Sequence, residues 1–317
     1  MTFSDKNILI TGGAGFIGAN FTYKFLDLGY SVHLIEKRGL NLRRLKNIKD
    51  KIKINYIDLK DYNNLERFIL KLKPQIILHF AAFGTYPKKQ KNIKNTIETN
   101  LLGTINLANA CSKIRFKCFI NTGSSSEYGV KDKPMKEADS LEPNNLYGIT
   151  KAATTMYCQD IVRKLGLPIV TMRPFAVYGY FEEKERLIPT VIKSCLTNSK
   201  LKLSSPKSVR DYIFIEDIIE AYLLAIKNIQ KIKGEVFNLG TGKQSTVAEV
   251  VRIIKKITNS TIKPAYGEVK ISQLEPKHWL ADISKIKKLL NWQPRYDLEQ
   301  GLKEDIEWFK KNISLYN

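Results

Sequence analysis

The sequence predicts an α/β fold, a doubly wound parallel sheet followed by a smaller mixed α/β lobe toward the C-terminus, and three observations carry this. Residues 7–18, NILITGGAGFIG, read as a buried strand, a glycine turn and a helix start. Short β-forming runs at 31–35, 52–57 and 75–79 then alternate with helical patterns such as 65–72. That order lays parallel strands side by side. Farther on, Tyr147 and Lys151 stand four positions apart at the start of a helix, so they share one face.

Gly12, Gly15 and Gly18 are spaced by three and lead into Phe16, Ile17, Phe21, Phe25 and Leu28 at helical spacing. The first glycine permits a tight turn, the second lets backbone approach a pyrophosphate, and the third lets helix and strand pack closely. Free N–H groups at the helix start face the phosphate. Such a Rossmann-type turn needs an acidic residue about 20 positions on, and Glu36 stands at the end of the second strand. A carboxylate there accepts from both adenosine ribose hydroxyls of NAD, whereas Lys37, Arg38 and Arg43 would neutralise the 2′-phosphate of NADP. Both cofactors stay open. NAD is slightly favoured, because a buried carboxylate repels a neighbouring phosphate at low effective dielectric.

Asp58 follows the third strand, where it either reaches the adenine or caps the next helix. His79-Phe80-Ala81-Ala82 brings small residues to the sheet edge, and Phe83-Gly84-Thr85-Tyr86 comes next. Small side chains leave room for a ligand. A long helix from about 92 to 113 carries Asn100, Gly103 and Thr104, and a strand at 117–121 leads into the serine-rich loop 122–129. Pro143-Asn144-Asn145 then breaks the chain before the helix of Tyr147. A tyrosine is a poor base at neutral pH, but a lysine ammonium beside it stabilises the phenolate and brings it toward working range. Ser124 can hydrogen-bond the same substrate oxygen.

With 317 residues and 43% hydrophobic content the chain can bury a sizeable core. No apolar leader precedes the first strand and no run is long enough for a membrane span, so a cytoplasmic location is expected. Cys111, Cys118, Cys158 and Cys195 lack paired spacings and read as reduced core thiols; no metal site is indicated. The net charge of +21 also suits a nucleic-acid binder, but only 11 of the 52 basic residues are arginine. The lysines spread along predicted helix faces, which argues against nucleic acid and leaves a basic surface able to attract anionic substrates.

These residues resemble the extended short-chain dehydrogenase/reductase superfamily, in its nucleotide-sugar epimerase/dehydratase branch. The resemblance rests on TGGAGFIG at 11–18, HFAA at 79–82, N-x-x-GT at 100–104, S-x-x-x-YG at 124–129, Y-x-x-x-K at 147–151, RPFAVYG at 173–179 and VRDYIFIEDI at 209–218. EVFNLGTG at 235–242 and LLNWQP at 289–294 extend it through the C-terminal half. It implies Ser124, Tyr147 and Lys151 as the catalytic set. It places Phe16, Ile17, Leu59, Ala81, Ala82, Asn100 and Pro174 with the cofactor. Gly84, Thr85, Tyr86, Ser125, Ser126, Phe175, Arg186 and Leu187 would go with the nucleotide sugar, Arg210 would bind its diphosphate, and Asp211 would line the same pocket. The resemblance also implies a nucleotide-binding part at 1–172, with a segment near 210–242 returning to it, and a substrate lobe at 173–317. A homodimer would form through the helices of Asn100 and Tyr147, where the sequence itself offers only the apolar Ile97, Leu101, Met156 and Ile161, positions that fit a core equally well.

Two departures qualify the resemblance. Family 4,6-dehydratases carry an acidic pair where this chain has Ser125 and Ser126, and Glu127, one place on, is expected to turn another way. Many epimerases have asparagine where Ala176 stands. The expected activity is therefore hydride transfer at C-4 of a nucleotide-activated sugar, by 4-keto reduction or 4-epimerisation, without dehydration. A non-catalytic dinucleotide sensor of the same fold is the alternative, although such a protein need not keep both Tyr147 and Lys151.

Overall fold

The computed structural model describes residues 6–85, 91–269 and 277–316. A seven-stranded sheet is built from β1 (Asn7–Thr11), β2 (Ser31–Glu36), β3 (Lys53–Tyr56), β4 (Ile76–His79), β5 (Cys118–Thr122), β6 (Ile169–Pro174) and β7 (Val236–Leu239). Its spatial order is β7-β6-β5-β4-β1-β2-β3, and β1 to β6 pair in parallel. The order reverses direction at β1, so the chain winds outward both ways from the glycine turn. Strands covered on both faces need apolar residues at every position rather than at alternate ones. Ile8, Leu9 and Ile10 of β1 and Ile76, Ile77 and Leu78 of β4 are all buried.

The helices begin where local chemistry lets them. Helix α1 (Phe16–Asp27) buries Phe21 and Phe25. Helix α2 (Tyr62–Leu72) starts three residues before the expected 65, because the Asp61 carboxylate accepts the Asn64 amide at 3.1 Å. The expected long helix is continuous but changes pitch: α3 (Ile93–Thr96), a π-helical stretch Ile97–Leu102, then α4 (Gly103–Ser112). Such π stretches concentrate at functional sites, and this one holds Asn100. Helix α5 (Leu146–Leu165), with Tyr147 and Lys151 in its first turns, is capped by the Asn145 side chain on the Gly148 amide at 2.9 Å. One face of the sheet packs Leu9, Ile77, Phe119 and Ile169 against Leu65, Ile69, Leu107 and Ile161. Ile161 is thus core and not a surface contact, and Leu101 is half-buried. Ile97 and Met156 remain exposed and are joined by Ile93, Leu102 and Ile149.

The chain divides into two compact units. The first comprises residues up to 129, 140–174 and 219–237; the second comprises 130–139, 175–218 and 238 onward. The division falls at 174 rather than 172, and the returning segment is 219–237, shorter than the expected 210–242. Asp211 explains the difference, since its carboxylate accepts the Thr241, Gly242 and Ala281 amides at 2.7, 3.1 and 3.1 Å and keeps 210–211 and 241–242 in the second unit. In that unit the helix Val247–Thr258 starts with a reciprocal Thr246–Glu249 cap, and Leu298–Lys311 with one between Asp297 and Gln300. Among the described residues no helix is long and apolar enough to cross a membrane. The four cysteines are buried and free.

Candidate active site

The glycine turn has the shape its spacing predicted. Gly12 takes φ +70°, and a Cβ there would lie 2.7 Å from the Ala81 amide nitrogen; a Cβ on Gly18 would run into the Gly12 carbonyl. Gly15 is different. It is exposed, and a Cβ would meet only the Gly12 oxygen, at 3.2 Å. It is also the N-cap of α1, with no capping side chain and no acid in the first turn, so no side chain of the helix itself offsets its positive end. Phe16 and Ile17 are half-buried at that end.

Glu36 is buried, and its Oε1 accepts the Ala14 amide at 2.6 Å. Burial pushes this carboxyl up to about 7, with the Ala14 and Gly13 amides opposing. Backbone amides alone thus hold a costly buried acid, which leaves it suited to the hydroxyls of a ribose. Together with the open α1 terminus and the bare Gly15, this fits a dinucleotide. The expected basic residues behave otherwise. Lys37 and Arg38 are exposed, with Lys37 3.9 Å from the Asp58 carboxylate, and Arg43 is only half-buried. Arg44 is the buried member of the pair, donating from Nη1 to the Ala14 carbonyl at 3.4 Å. It was missed, although Leu45 and Ile48 on the same 3-10 stretch could have oriented it. Asp58 caps no helix; it accepts the Lys60 amide at 3.1 Å. Leu59 is buried against Gly103.

A chain of hydrogen bonds links this turn to the helix of Tyr147. Thr11 Oγ1 lies 2.6 Å from His79 Nδ1, and His79 Nε2 lies 2.8 Å from Thr104 Oγ1. Thr104 donates to the Asn100 carbonyl at 2.5 Å. The Asn100 amide bonds both the N–H and the C=O of Phe83, at 2.7 and 2.9 Å, and donates to Thr150 at 3.0 Å, while Thr150 donates to the Tyr147 carbonyl at 2.9 Å. Burial, reinforced by Lys151, pushes His79 down to about 3, so the relay holds a neutral imidazole. Asn100 therefore anchors the loop of Ala81, Ala82, Gly84 and Thr85; Tyr86 lies outside the described residues.

Lys151 is buried, donates from Nζ to the Thr122 carbonyl at 2.7 Å and sits 5.8 Å from the centre of the Tyr147 ring. Desolvation pushes its ammonium down to about 8, opposed by the charge of Glu127. Ser124 opens a 3-10 turn, Ser125–Glu127, and its Oγ accepts the Ser126 amide at 3.1 Å. Ser125 is buried and Ser126 half-buried. Glu127 turns inward: Oε1 accepts the Ser124 amide and Oε2 the Arg173 guanidinium, each at 2.8 Å. Gly148 at the start of α5 packs on the Ser126 carbonyl, so turn and helix are in register.

All the residues assigned to cofactor and catalysis thus lie in the first unit, including Pro174 at the end of β6. Phe175, Arg186, Leu187 and Arg210 belong to the second. Phe175 is buried, and Arg186 is an exposed N-cap whose Nε lies 3.5 Å from Glu182 Oε1, with half-buried Leu187 next. Arg210 is half-buried, its guanidinium 5.4 Å from the ring centre of Trp279, a residue the motifs did not single out. Asp211 does not line a pocket. It is wholly buried, and besides the three amides it accepts the Thr241 hydroxyl at 2.7 Å. Ala176 is half-buried, and its amide donates to the Asp211 carbonyl at 3.0 Å.

Residues 8–240 match the NAD dependent epimerase/dehydratase family. A trifunctional UDP-glucose 4,6-dehydratase/UDP-4-keto-6-deoxy-D-glucose 3,5-epimerase/UDP-4-keto-L-rhamnose-reductase of Arabidopsis thaliana is 29% identical over 98% of this chain. The chain spans 48% of that relative's length. The crystal structure of UDP-glucose 4-epimerase from Thermotoga maritima with UDP-glucose superposes with a TM-score of 0.88 at 28% identity, covering 97% of this chain and 99% of the other. The dTDP-glucose 4,6-dehydratase of Bacillus anthracis in complex with NAD gives 0.86 at 28% identity, covering 98% of each chain.

Proposed function

The chain belongs to the NAD dependent epimerase/dehydratase family, and from that premise we propose that it acts at C-4 of a nucleotide-activated sugar, epimerising that carbon or reducing a 4-keto group. NAD would be held by Gly12, Gly15, Gly18 and Glu36, and when bound it supplies the exchange of hydride with the sugar carbon. The chain's own residues manage the proton. Tyr147 takes it from, or returns it to, the oxygen on C-4, and the Lys151 ammonium stabilises the phenolate. Ser124 Oγ already accepts the Ser126 amide, so its hydroxyl hydrogen is left to donate to the same sugar oxygen. The observation that carries this reading is the Lys151 ammonium, buried, tied to Thr122 and 5.8 Å from the Tyr147 ring centre.

Dehydration is excluded from the proposal because hydroxyls occupy positions 125 and 126 and the turn's one carboxylate is engaged by Arg173. Arg210 is proposed to hold the diphosphate, for which a guanidinium fork is well shaped. The exposed apolar residues Ile93, Ile97, Leu102, Ile149 and Met156, on helical segments that pack together, support a homodimer. Four reduced buried thiols support a cytoplasmic setting. The test is a panel of nucleotide sugars and their 4-keto forms, followed by the absorbance of reduced nicotinamide and by product stereochemistry. Net oxidation of the cofactor identifies a reductase, and inversion without net oxidation an epimerase. Tyr147→Phe is expected to lower turnover by about 10²–10⁴-fold with NAD affinity nearly intact. Wild-type-like turnover in that variant would remove the phenol from the mechanism.

A further inference from the structure

Glu127 takes no part in the proton transfer proposed above, yet it is wholly buried in the turn that carries Ser124. A lone charge in such a place is costly, and a buried pair is tolerated only when its geometry is good and its remaining hydrogen bonds are made. Both oxygens of Glu127 are used, one by the Ser124 amide and one by Arg173 Nε. Arg173 in turn donates to the Tyr128 hydroxyl at 2.9 Å, with its guanidinium carbon 4.8 Å from that ring's centre. Gly123 leaves room for the arrangement, since a Cβ there would strike Glu127 Oε1. The same turn is held from the other side by Lys151 on the Thr122 carbonyl. Resting on the function proposed above, we infer that Glu127 is a positioning residue, whose buried carboxylate holds the Ser124 backbone in place and sets a counter-charge in the turn that the Lys151 ammonium grips at Thr122.

The other groups facing Lys151 cannot supply that charge. Tyr147 and Cys158 lie on its own helix, His79 on β4, Arg173 on β6, and Tyr222 on the helix Ile215–Ile232, 3.0 Å from Thr122 Oγ1. Burial holds His79 near 3 and pushes the Cys158 thiol up to about 12, so both are neutral at pH 7. Burial also raises the Tyr222 phenol. Arg173 is a cation. Glu127 is thus the carboxylate that opposes the desolvation of Lys151. Removing it lets Lys151 lose its proton at lower pH, and the alkaline limb of kcat moves down with it.

The experiment titrates Lys151 by ¹³C-lysine NMR in the NAD-loaded protein, the resonance being assigned by its loss in Lys151→Met. Glu127→Gln alone leaves Arg173 a buried cation without its partner, so the main variant is E127Q/R173M, which removes both charges. Glu127→Asp is the companion, keeping the charge while retracting it. Arg173→Met alone is the reference, because it differs from the double variant only in the carboxylate. The double variant is expected to titrate about one unit below that reference, with the alkaline limb of kcat displaced equally. Glu127→Asp is expected to titrate as the wild type does while kcat falls, because the Ser124 turn shifts. A Lys151 titration in folded E127Q/R173M no lower than in Arg173→Met overturns the inference, whether or not the enzyme turns over. A lowered titration in a protein that processes no nucleotide sugar upholds the electrostatic role and defeats the proposed function instead.

Discussion

Glu36 and Glu127 are both buried carboxylates of the first unit, at the C-terminal ends of β2 and just beyond β5, and they are held in opposite ways. Glu127 has an internal cation, Arg173, whose Nε lies 2.8 Å from its Oε2. Glu36 is held by the amides of Ala14 and Gly13, and its carboxyl is driven up to about 7. The difference separates an acid paired inside the fold from one held by backbone amides. A buried acid neutralised from within is finished when the chain folds, whereas one held by amides alone gains when a ligand brings hydroxyl donors to it.

Removing each acid in turn is the sharpest way to break this contrast. Glu127→Ala leaves Arg173 buried without its partner and is expected to cost about 3–5 kcal/mol, read by urea denaturation of the cofactor-free protein. Stability close to that of the wild type would mean the pair is not structural. Glu36→Gln is expected to weaken NAD binding roughly 10–100-fold, one or two hydrogen bonds to a charged acceptor, while the cofactor-free fold loses nothing. Calorimetric titration with NAD checks the first half and denaturation the second.

The pH dependence of Glu36 follows from the same source. The unfolded chain gives up this proton near 4.5 and the folded chain near 7, so the unfolded state binds fewer protons in between. Stability of the cofactor-free protein therefore declines as pH rises through that window. NAD affinity, which uses the ionised acid, rises over the same range and levels off above 7. A matching rise in Glu36→Gln would assign the effect to another group. The smallest effect is expected for Lys37→Ala, which removes an exposed ion pair with Asp58 and should change stability and NAD binding by no more than about 1 kcal/mol.

The parts of the site that were legible in advance are those whose meaning is local. Three glycines at fixed spacing, an acid closing the next strand, and Tyr147 with Lys151 one turn apart need only a strand or a helix to acquire their geometry. Arg43 and Arg44 show where that stops. Both are basic and adjacent, and only the packing of Leu45 and Ile48 turns the second inward. Asp211 looked like a pocket residue beside Arg210, but its partners lie 30 and 70 positions away, at Thr241 and Ala281. Ile161 and Met156 looked alike as apolar helix positions, and one is core while the other faces outward.

Sequence alone determined the doubly wound sheet, the glycine turn and the placing of Tyr147 and Lys151 on one helix face, because backbone periodicity and short-range spacing suffice to build them. Tertiary structure alone decided which charges are neutralised inside the protein and which await a ligand. That choice depends on desolvation and on partners far along the chain: Glu127 meets Arg173 across 46 positions, and no local pattern encodes the meeting.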